Sequence, residues 1–317
     1  MKRKNWQHLS RFLIALMLLP ILVACGSSES GTTNGDSAAK LNVVATTGQI
    51  TDALLNIGGD GIKLTGLFGP GVDPHLYVPT EGDVTTLAEA NVIFYHGLHL
   101  EAQMVRVMDE MSKRGITVVS IGDLLPPERL LTWEENTPHD PHIWNDPQLW
   151  SLGLEMIRDT LIKEDPDNAD LYRKNTETYL AEIDETHKYV QEQIERIPDD
   201  KRVMITAHDA FAYFARTYGL EVRGLQGIST ESEASTADVQ ELASFIVERQ
   251  IPAIFVETSV PPRTIEAVQA AVEAQGFQVK IGGSLFSDAL GSPGTPEGTY
   301  PGMLRHNAKT LADALSN

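Results

Sequence analysis

Histidine and aspartate are residue types that could hold a metal ion, and four short stretches bring them together. Asp-Pro-His occurs twice, as Asp73-Pro74-His75 in GPGVDPHLYVPT and as Asp140-Pro141-His142 in TPHDPHIWNDP. A third stretch, Thr206-Ala207-His208-Asp209, closes a run that reads as a strand, and a fourth, Phe286-Ser287-Asp288-Ala289, follows the last such run. Proline before each of the first two histidines fixes the local backbone and so restricts where the imidazole can point. If the stretches meet, two imidazoles from the first half of the chain face an imidazole and a carboxylate from the second. Three nitrogens and a carboxylate oxygen suit a first-row divalent ion such as Zn2+ or Mn2+. A single histidine at a strand end is more often a surface or hydrogen-bonding residue, so the inference rests on the joint pattern. His139 and His142 stand three apart, but Pro138 and Pro141 argue against a helix that would pair them.

Elements that could position these stretches alternate in type. LNVVATT reads as a buried strand and ITDALLNIGG as a helix ending in glycine; KLTGLFG, EGDVTTLAEA, NVIFYH, EAQMVRVMDEMSKRG and ITVVSIG continue the rhythm. A second series runs RVMITAH, FAYFARTYG, VRGLQG, DVQELASFIVERQ, AIFVETS, TIEAVQAAVEAQG and FQVKIGG, before a C-terminal helix around His306. Strands separated by helices imply parallel βαβ units. Between the two series, the stretch from Pro166 to Pro198 has no internal glycine or proline. Leu171, Thr178, Ile183, Tyr189 and Ile194 recur there at near-helical spacing among many charges, which predicts one long, mostly exposed helix. The predicted fold class is therefore α/β: two lobes, each a mainly parallel sheet flanked by helices, joined by one long backbone helix. The lobes span 41–165 and 199–317, with the helix over 166–198. Of the other histidines, His139 is expected at the surface of its loop, and His187 and His306 in structural positions on helices.

The N-terminus belongs to targeting. Lys2, Arg3, Lys4 and Arg11 precede the apolar run from Phe12 to Val23, too short to span a membrane, for which about 20 residues are needed. Residues 1–24 thus read as a signal peptide. Leu22-Val23-Ala24-Cys25 resembles a bacterial lipobox, which predicts lipid on Cys25 and a membrane-anchored, extracytoplasmic protein. Cys25 is the sole cysteine of 317 residues, so no internal disulfide or cysteine-based site can form. Residues 25–40 are Gly, Ser, Thr and Asn with almost nothing apolar, the composition of a flexible tether. The first 24 residues carry four basic side chains and no acidic one. Residues 25–317 therefore hold 21 basic side chains against 44 acidic, a net charge of −23 that argues against a nucleic-acid partner.

Over almost its whole mature length the chain resembles the metal-binding solute receptors of bacterial ABC importers, the TroA-like or cluster 9 group. GVDPHLYVPT, YHGLHLE, DPHIWNDPQLW, TAHDAFAYFA, GLQGISTESEAS, AIFVETSVPPRTIEAV, IGGSLFSDALG and GTYPGMLRHN carry the match, in order. The resemblance implies two α/β lobes on one backbone helix with an ion in the cleft between them. Carried over position by position, the four ligands fall on His75, His142, His208 and Asp288. It also places His99 near the site, packing against or supporting the ligands. Asp73, Asp140 and Asp209, next to three of the ligands, are expected to accept hydrogen bonds from the imidazoles.

The implied cargo is Mn2+ or Zn2+, with Fe2+ a further candidate. Many manganese receptors of the group have Glu at the third ligand position and zinc receptors have His. His208 leans to zinc, while the surrounding segments lean to the manganese subgroup. The long His/Asp/Glu-rich loop of many zinc receptors is missing, since only His96, His99 and His139 lie between His75 and His142. The implied partners are an ABC permease and its ATPase, with the receptor itself a monomer and not an enzyme. Alternatives are a surface adhesin or a secreted zinc hydrolase. The sequence contains neither an HExxH helix nor a Gly-x-Ser-x-Gly elbow.

Overall fold

A computed structural model describes residues 40–132 and 139–316. The expected signal peptide over 1–24, Cys25 and the tether through residue 39 lie outside the described residues, as do Thr137 and Pro138. From Lys40 onward the chain forms one compact unit. Among the described residues, no helix is long and apolar enough to cross a membrane.

The first half builds a four-stranded parallel sheet. Strands β1 (Leu41–Ala45), β2 (Ile62–Gly66), β3 (Val92–Tyr95) and β4 (Thr117–Ser120) take the order β2-β1-β3-β4. Helices α1 (Gly48–Gly58), α2 (Glu81–Ala88) and α3 (Val105–Lys113) connect them. Alternation along β1 gives each face its own core. Val43 and Ala45 join the main cluster with Ile50 and Leu54 of α1, while Val44 joins Ile93, Met104, Met108 and Met111 on the opposite face.

The second half is also parallel but pairs its strands differently from the single sheet expected. β5 (Val203–His208) pairs with β6 (Glu221–Gln226), and β7 (Ala253–Glu257) with β8 (Lys280–Leu285), as two two-stranded ladders with β5 and β7 side by side. Helices α6 (Ala212–Tyr218), α7 (Thr236–Arg249), α8 (Arg263–Ala274) and α9 (Tyr300–Leu315) flank them. Strand β8 runs to Leu285, beyond the glycine pair expected to end it. Gly282 is a close-approach position inside the strand: a Cβ there would stand 2.7 Å from Phe255 and 2.8 Å from Ala314.

Helix α4 (Pro147–Glu164) is an element the sequence patterning does not predict. Its start is conventional, with Pro147 at the first position and Asp146 capping the amides of Gln148 and Leu149. The long helix α5 (Ala169–Glu195) forms where expected, 27 residues that extend about 40 Å at about 1.5 Å each. Its buried stripe is Tyr172, Thr176, Tyr179, Ile183, Thr186, Val190 and Ile194, a strict three-four spacing. Only Ile183 and Ile194 of the expected face belong to it, because tyrosines and threonines supply most of the contact. α5 packs on α1, α4 and α9, so one continuous core joins both halves. The buried carboxylate of Asp52 in α1 accepts the Tyr179 hydroxyl (2.5 Å) and the Tyr300 amide (3.0 Å), tying α1, α5 and α9 together.

Candidate metal centre

The four proposed ligands sit beyond the carboxyl ends of parallel strands, where α/β sheets leave room for a ligand. His75 follows β2, His142 lies between β4 and α4, His208 is the last residue of β5, and Asp288 comes three residues after β8. Their exposures are 2%, 0%, 0% and 2%, and one ligand atom from each lies within 4.8 Å of all the others.

Three of the separations already match those of atoms sharing one ion. His75 Nε2 is 3.4 Å from His142 Nε2, His142 Nε2 is 3.5 Å from Asp288 Oδ1, and His208 Nε2 is 3.3 Å from Asp288 Oδ2. Four atoms arranged tetrahedrally at about 2.0–2.2 Å from a metal stand about 3.3–3.6 Å apart. Asp288 turns one oxygen toward each of two imidazoles, so its carboxylate can bind through either oxygen or both.

Each imidazole is held by a different device. His142 Nδ1 lies 2.7 Å from Asp140 Oδ1, which also accepts the His142 amide at 2.9 Å. His208 Nδ1 lies 2.6 Å from Glu257 Oε2, and Oε1 of the same carboxylate accepts the His208 amide at 2.9 Å. A carboxylate behind an imidazole fixes its tautomer and raises its basicity toward a metal. Asp73 accepts the His75 amide at 2.9 Å through Oδ1, while its Oδ2 accepts the Thr230 hydroxyl at 2.7 Å. Gly224 in β6 permits the close strand packing at His208, since a Cβ would lie 2.5 Å from the Asp209 amide nitrogen.

Electrostatics separate the imidazoles. Burial pushes His75 down to about 3, further depressed by His142 and His208 and only partly offset by Asp288, so it is neutral at neutral pH. Burial alone would lower His208, but Asp288 and Glu257 on either side raise it well above the ordinary histidine value. Asp288 is likewise disfavoured as an anion by burial, yet His208, His142 and His75 together hold it well below the usual carboxylate range. His208 is thus flanked by two carboxylates, Asp288 and Glu257, that favour its charged form.

Several sequence expectations need correction. His99 is on the surface, at φ 67°, in the tight turn whose amides at His96 and Gly97 are held by buried Glu101. The buried histidine of that segment is His96, packed against Trp144 (4.7 Å between centroids) and Trp150 (5.4 Å) and depressed to about 3 by burial, with His142 adding to the shift. Asp209 is buried and raised to about 6 by that burial and by neighbouring Asp140, but it hydrogen-bonds to no imidazole among the described residues. Glu257, whose Oε2 lies 2.6 Å from His208 Nδ1, stands beside that ring in the place expected for Asp209. Asp73 holds a backbone amide rather than a ring. His139 is half-buried, bridged to Thr132, and outside the cluster. His187 meets the Tyr218 hydroxyl at 2.9 Å, and His306 Nε2 donates to the Ser284 carbonyl at 3.0 Å.

Sequence reasoning missed two supports. Glu257 ends β7 in the segment AIFVETS, and its position at a strand end was the available signal. Trp144, two residues after His142, donates its indole N–H to the Ser287 carbonyl (2.9 Å), so a residue of the first half fixes the backbone next to Asp288.

The chain is similar to proteins of known role. A "Zinc-binding protein TroA" from Treponema pallidum is 46% identical over 89% of this chain and 91% of that protein. A "Manganese-binding lipoprotein MntA" from Bacillus subtilis is 43% identical over 93% and 95%. The solved periplasmic zinc-binding protein TroA of T. pallidum superposes with a TM-score of 0.86 over 88% of this chain and all of its own. The model of the ZnuA family, zinc-uptake complex component A, periplasmic, matches residues 43–314, and the chain belongs to that family.

Proposed function

We propose that the protein is the receptor of a metal importer: it captures one divalent transition-metal ion between its two halves and delivers it to an ABC permease driven by its ATPase. The observation that carries this reading is the convergence of three imidazoles and one carboxylate, drawn from both sides of the long helix, with one ligand atom of each within 4.8 Å of all the others. His75, His142, His208 and Asp288 are the ligands. Residues 41–165 and 199–317 act as lobes on the 166–198 helix. The cargo is Mn2+ or Zn2+, as the names of the two relatives suggest, with Fe2+ a third candidate. Four protein ligands enclose the ion and leave little need for the water that a catalytic metal site keeps, so the protein works as a carrier and not as an enzyme.

Cleavage before Cys25 and acylation of that cysteine would hold the protein at the outer face of the cell membrane, as a monomer on the 25–40 tether. Calorimetric titration with Zn2+ and Mn2+ tests the ligand set. The wild type is expected to take one ion per chain. Outer carboxylates are worth about 10–100-fold in metal affinity, so His142→Ala and Asp288→Ala are expected to lose more than about 100-fold. Undiminished affinity in either variant would contradict the assignment. Zn2+ out-competes Mn2+ at most such sites whatever the cell uses, so cargo identity is read from uptake in cells lacking the protein as well as from competition.

A further inference from the structure

We propose that Thr230 is a positioning residue for metal retention: its hydroxyl clamps Asp73 from across the cleft, and this clamp sets how fast the ion leaves past His75. The inference rests on the receptor function proposed for the same site.

His75 is the weakly supported imidazole of the three. His142 and His208 each have a carboxylate within 2.7 Å of Nδ1, whereas the support given to His75 is the hold of Asp73 on its backbone amide. Asp73 is in turn held by a residue from the other half. Thr230 donates its hydroxyl to Asp73 Oδ2 at 2.7 Å, and the turn carrying Thr230 is fixed from β6, where the Gln226 amide donates to the Ser232 carbonyl at 3.0 Å and the Thr230 carbonyl at 3.5 Å. Nearby, Gln103 reaches Glu231 at 3.3 Å, a second and more exposed contact between the halves. A chain of hydrogen bonds therefore runs from the second-half strand β6 to the backbone of a first-half ligand.

The clamp also borders open space. A cavity of about 330 Å3 opens beside the clamp, and its lining includes both Asp73 and Thr230 together with Leu76, Leu225, Val260 and Pro261. Leu76, next to His75, is 53% exposed. By contrast Asp140 and Glu257, the carboxylates behind the other two imidazoles, are each 2% exposed. Parting of the halves at this seam breaks the Thr230–Asp73 bond first and frees His75 while His142 and His208 keep their supports. The ion then exits on the His75 side.

The test uses Thr230→Val, which deletes the hydroxyl at nearly constant shape, and Thr230→Ser, which keeps it. Zn2+ and Mn2+ are the probes, with dissociation followed after mixing with excess chelator. A hydrogen bond to a charged acceptor is worth roughly one decade or more in an equilibrium constant. Thr230→Val is therefore expected to release metal about tenfold faster, with the association rate and the metal-free melting temperature close to wild type. Thr230→Ser is expected to stay within about twofold of wild type. Should the valine variant misfold, Thr230→Ala takes its place. A dissociation rate unchanged in the hydroxyl-free variant overturns the proposal. So does a loss shared by both rates, accompanied by a lower metal-free melting temperature, because that marks a structural contact. Failure of the wild type to bind either ion would instead refute the receptor function itself.

Discussion

Asp73-Pro74-His75 and Asp140-Pro141-His142 are the same tripeptide, and their backbones fold alike. In each, Oδ1 of the aspartate accepts the amide of the histidine two residues on, at 2.9 Å. That turn is local chemistry, a short polar side chain bonding to its own backbone. The remaining contacts differ. Asp140 is fully buried and also braces the His142 ring at 2.7 Å, and the Tyr213 hydroxyl donates to its carbonyl at 2.9 Å. Asp73 lies at the edge of a cavity and turns its second oxygen to Thr230 of the other half. One copy braces its imidazole within the first half, and the other is tied to a residue of the second half. An identical tripeptide sets the turn, and the fold decides its use.

Variants can break or sharpen this contrast. The largest effect is expected for Asp140→Ala, which removes the brace from the His142 ring and should weaken metal binding about 10–100-fold at equilibrium, read by chelator competition. Asp73→Ala applied to the twin position should cost less, about tenfold, with the loss carried by the dissociation rate and not by the association rate. Equal equilibrium losses at the two sites would erase the distinction.

Proton competition extends the contrast to the third imidazole. His75 is depressed to about 3 and holds no proton to be displaced at neutral pH, whereas His208 is raised well above its ordinary value between Asp288 and Glu257. Binding requires a neutral imidazole, so affinity should fall as pH drops below the raised His208 value, by about tenfold per pH unit for one displaced proton. The sign for metal-free stability is the reverse. A group raised on folding stabilises fully below its unfolded value of about 6.5 and loses that contribution as pH rises through its folded value. Metal affinity measured from pH 5 to 8, and flat across it, would contradict the protonation of His208. Glu257→Gln should shallow the dependence, since one of the two anions raising His208 is gone. The smallest effect is expected for His99→Ala, whose affinity should match wild type within error because that side chain is at the surface.

Much of this was legible in the chain. The strands and their order of appearance followed from apolar runs bounded by helical periodicity, and two of the four proposed ligands, His208 and Asp288, stood at or just beyond strand ends while His75 and His142 stood out by their shared Asp-Pro-His. The misses have physical causes. Gly282 and Gly283 look like a terminator but lie within β8, because close packing against Phe255 and Ala314 at Gly282, and against Thr310 at Gly283, excludes a side chain there. The buried face of α5 mixes tyrosine and threonine with Ile183, Val190 and Ile194, and similar residues such as Leu171, Thr178 and Tyr189 fall beside it, so the apolar spacing did not single out the face. His96 and His99 are three residues apart in one segment, and which of them turns inward is decided by Glu101 gathering the loop amides. Glu257 and Thr230 act on ligands distant in sequence, so no local pattern connects them to His208 or His75.

The central claim is a single ion held by three imidazoles and one carboxylate from both halves. X-ray absorption on the zinc-loaded protein tests it most directly. The account predicts three imidazole nitrogens at about 2.0–2.1 Å with carboxylate oxygen at about 2.0–2.2 Å, and the loss of one imidazole shell in any sample of His142→Ala that still retains metal. A site with fewer than three imidazoles in the wild type, or one left unchanged by His142→Ala, would contradict it.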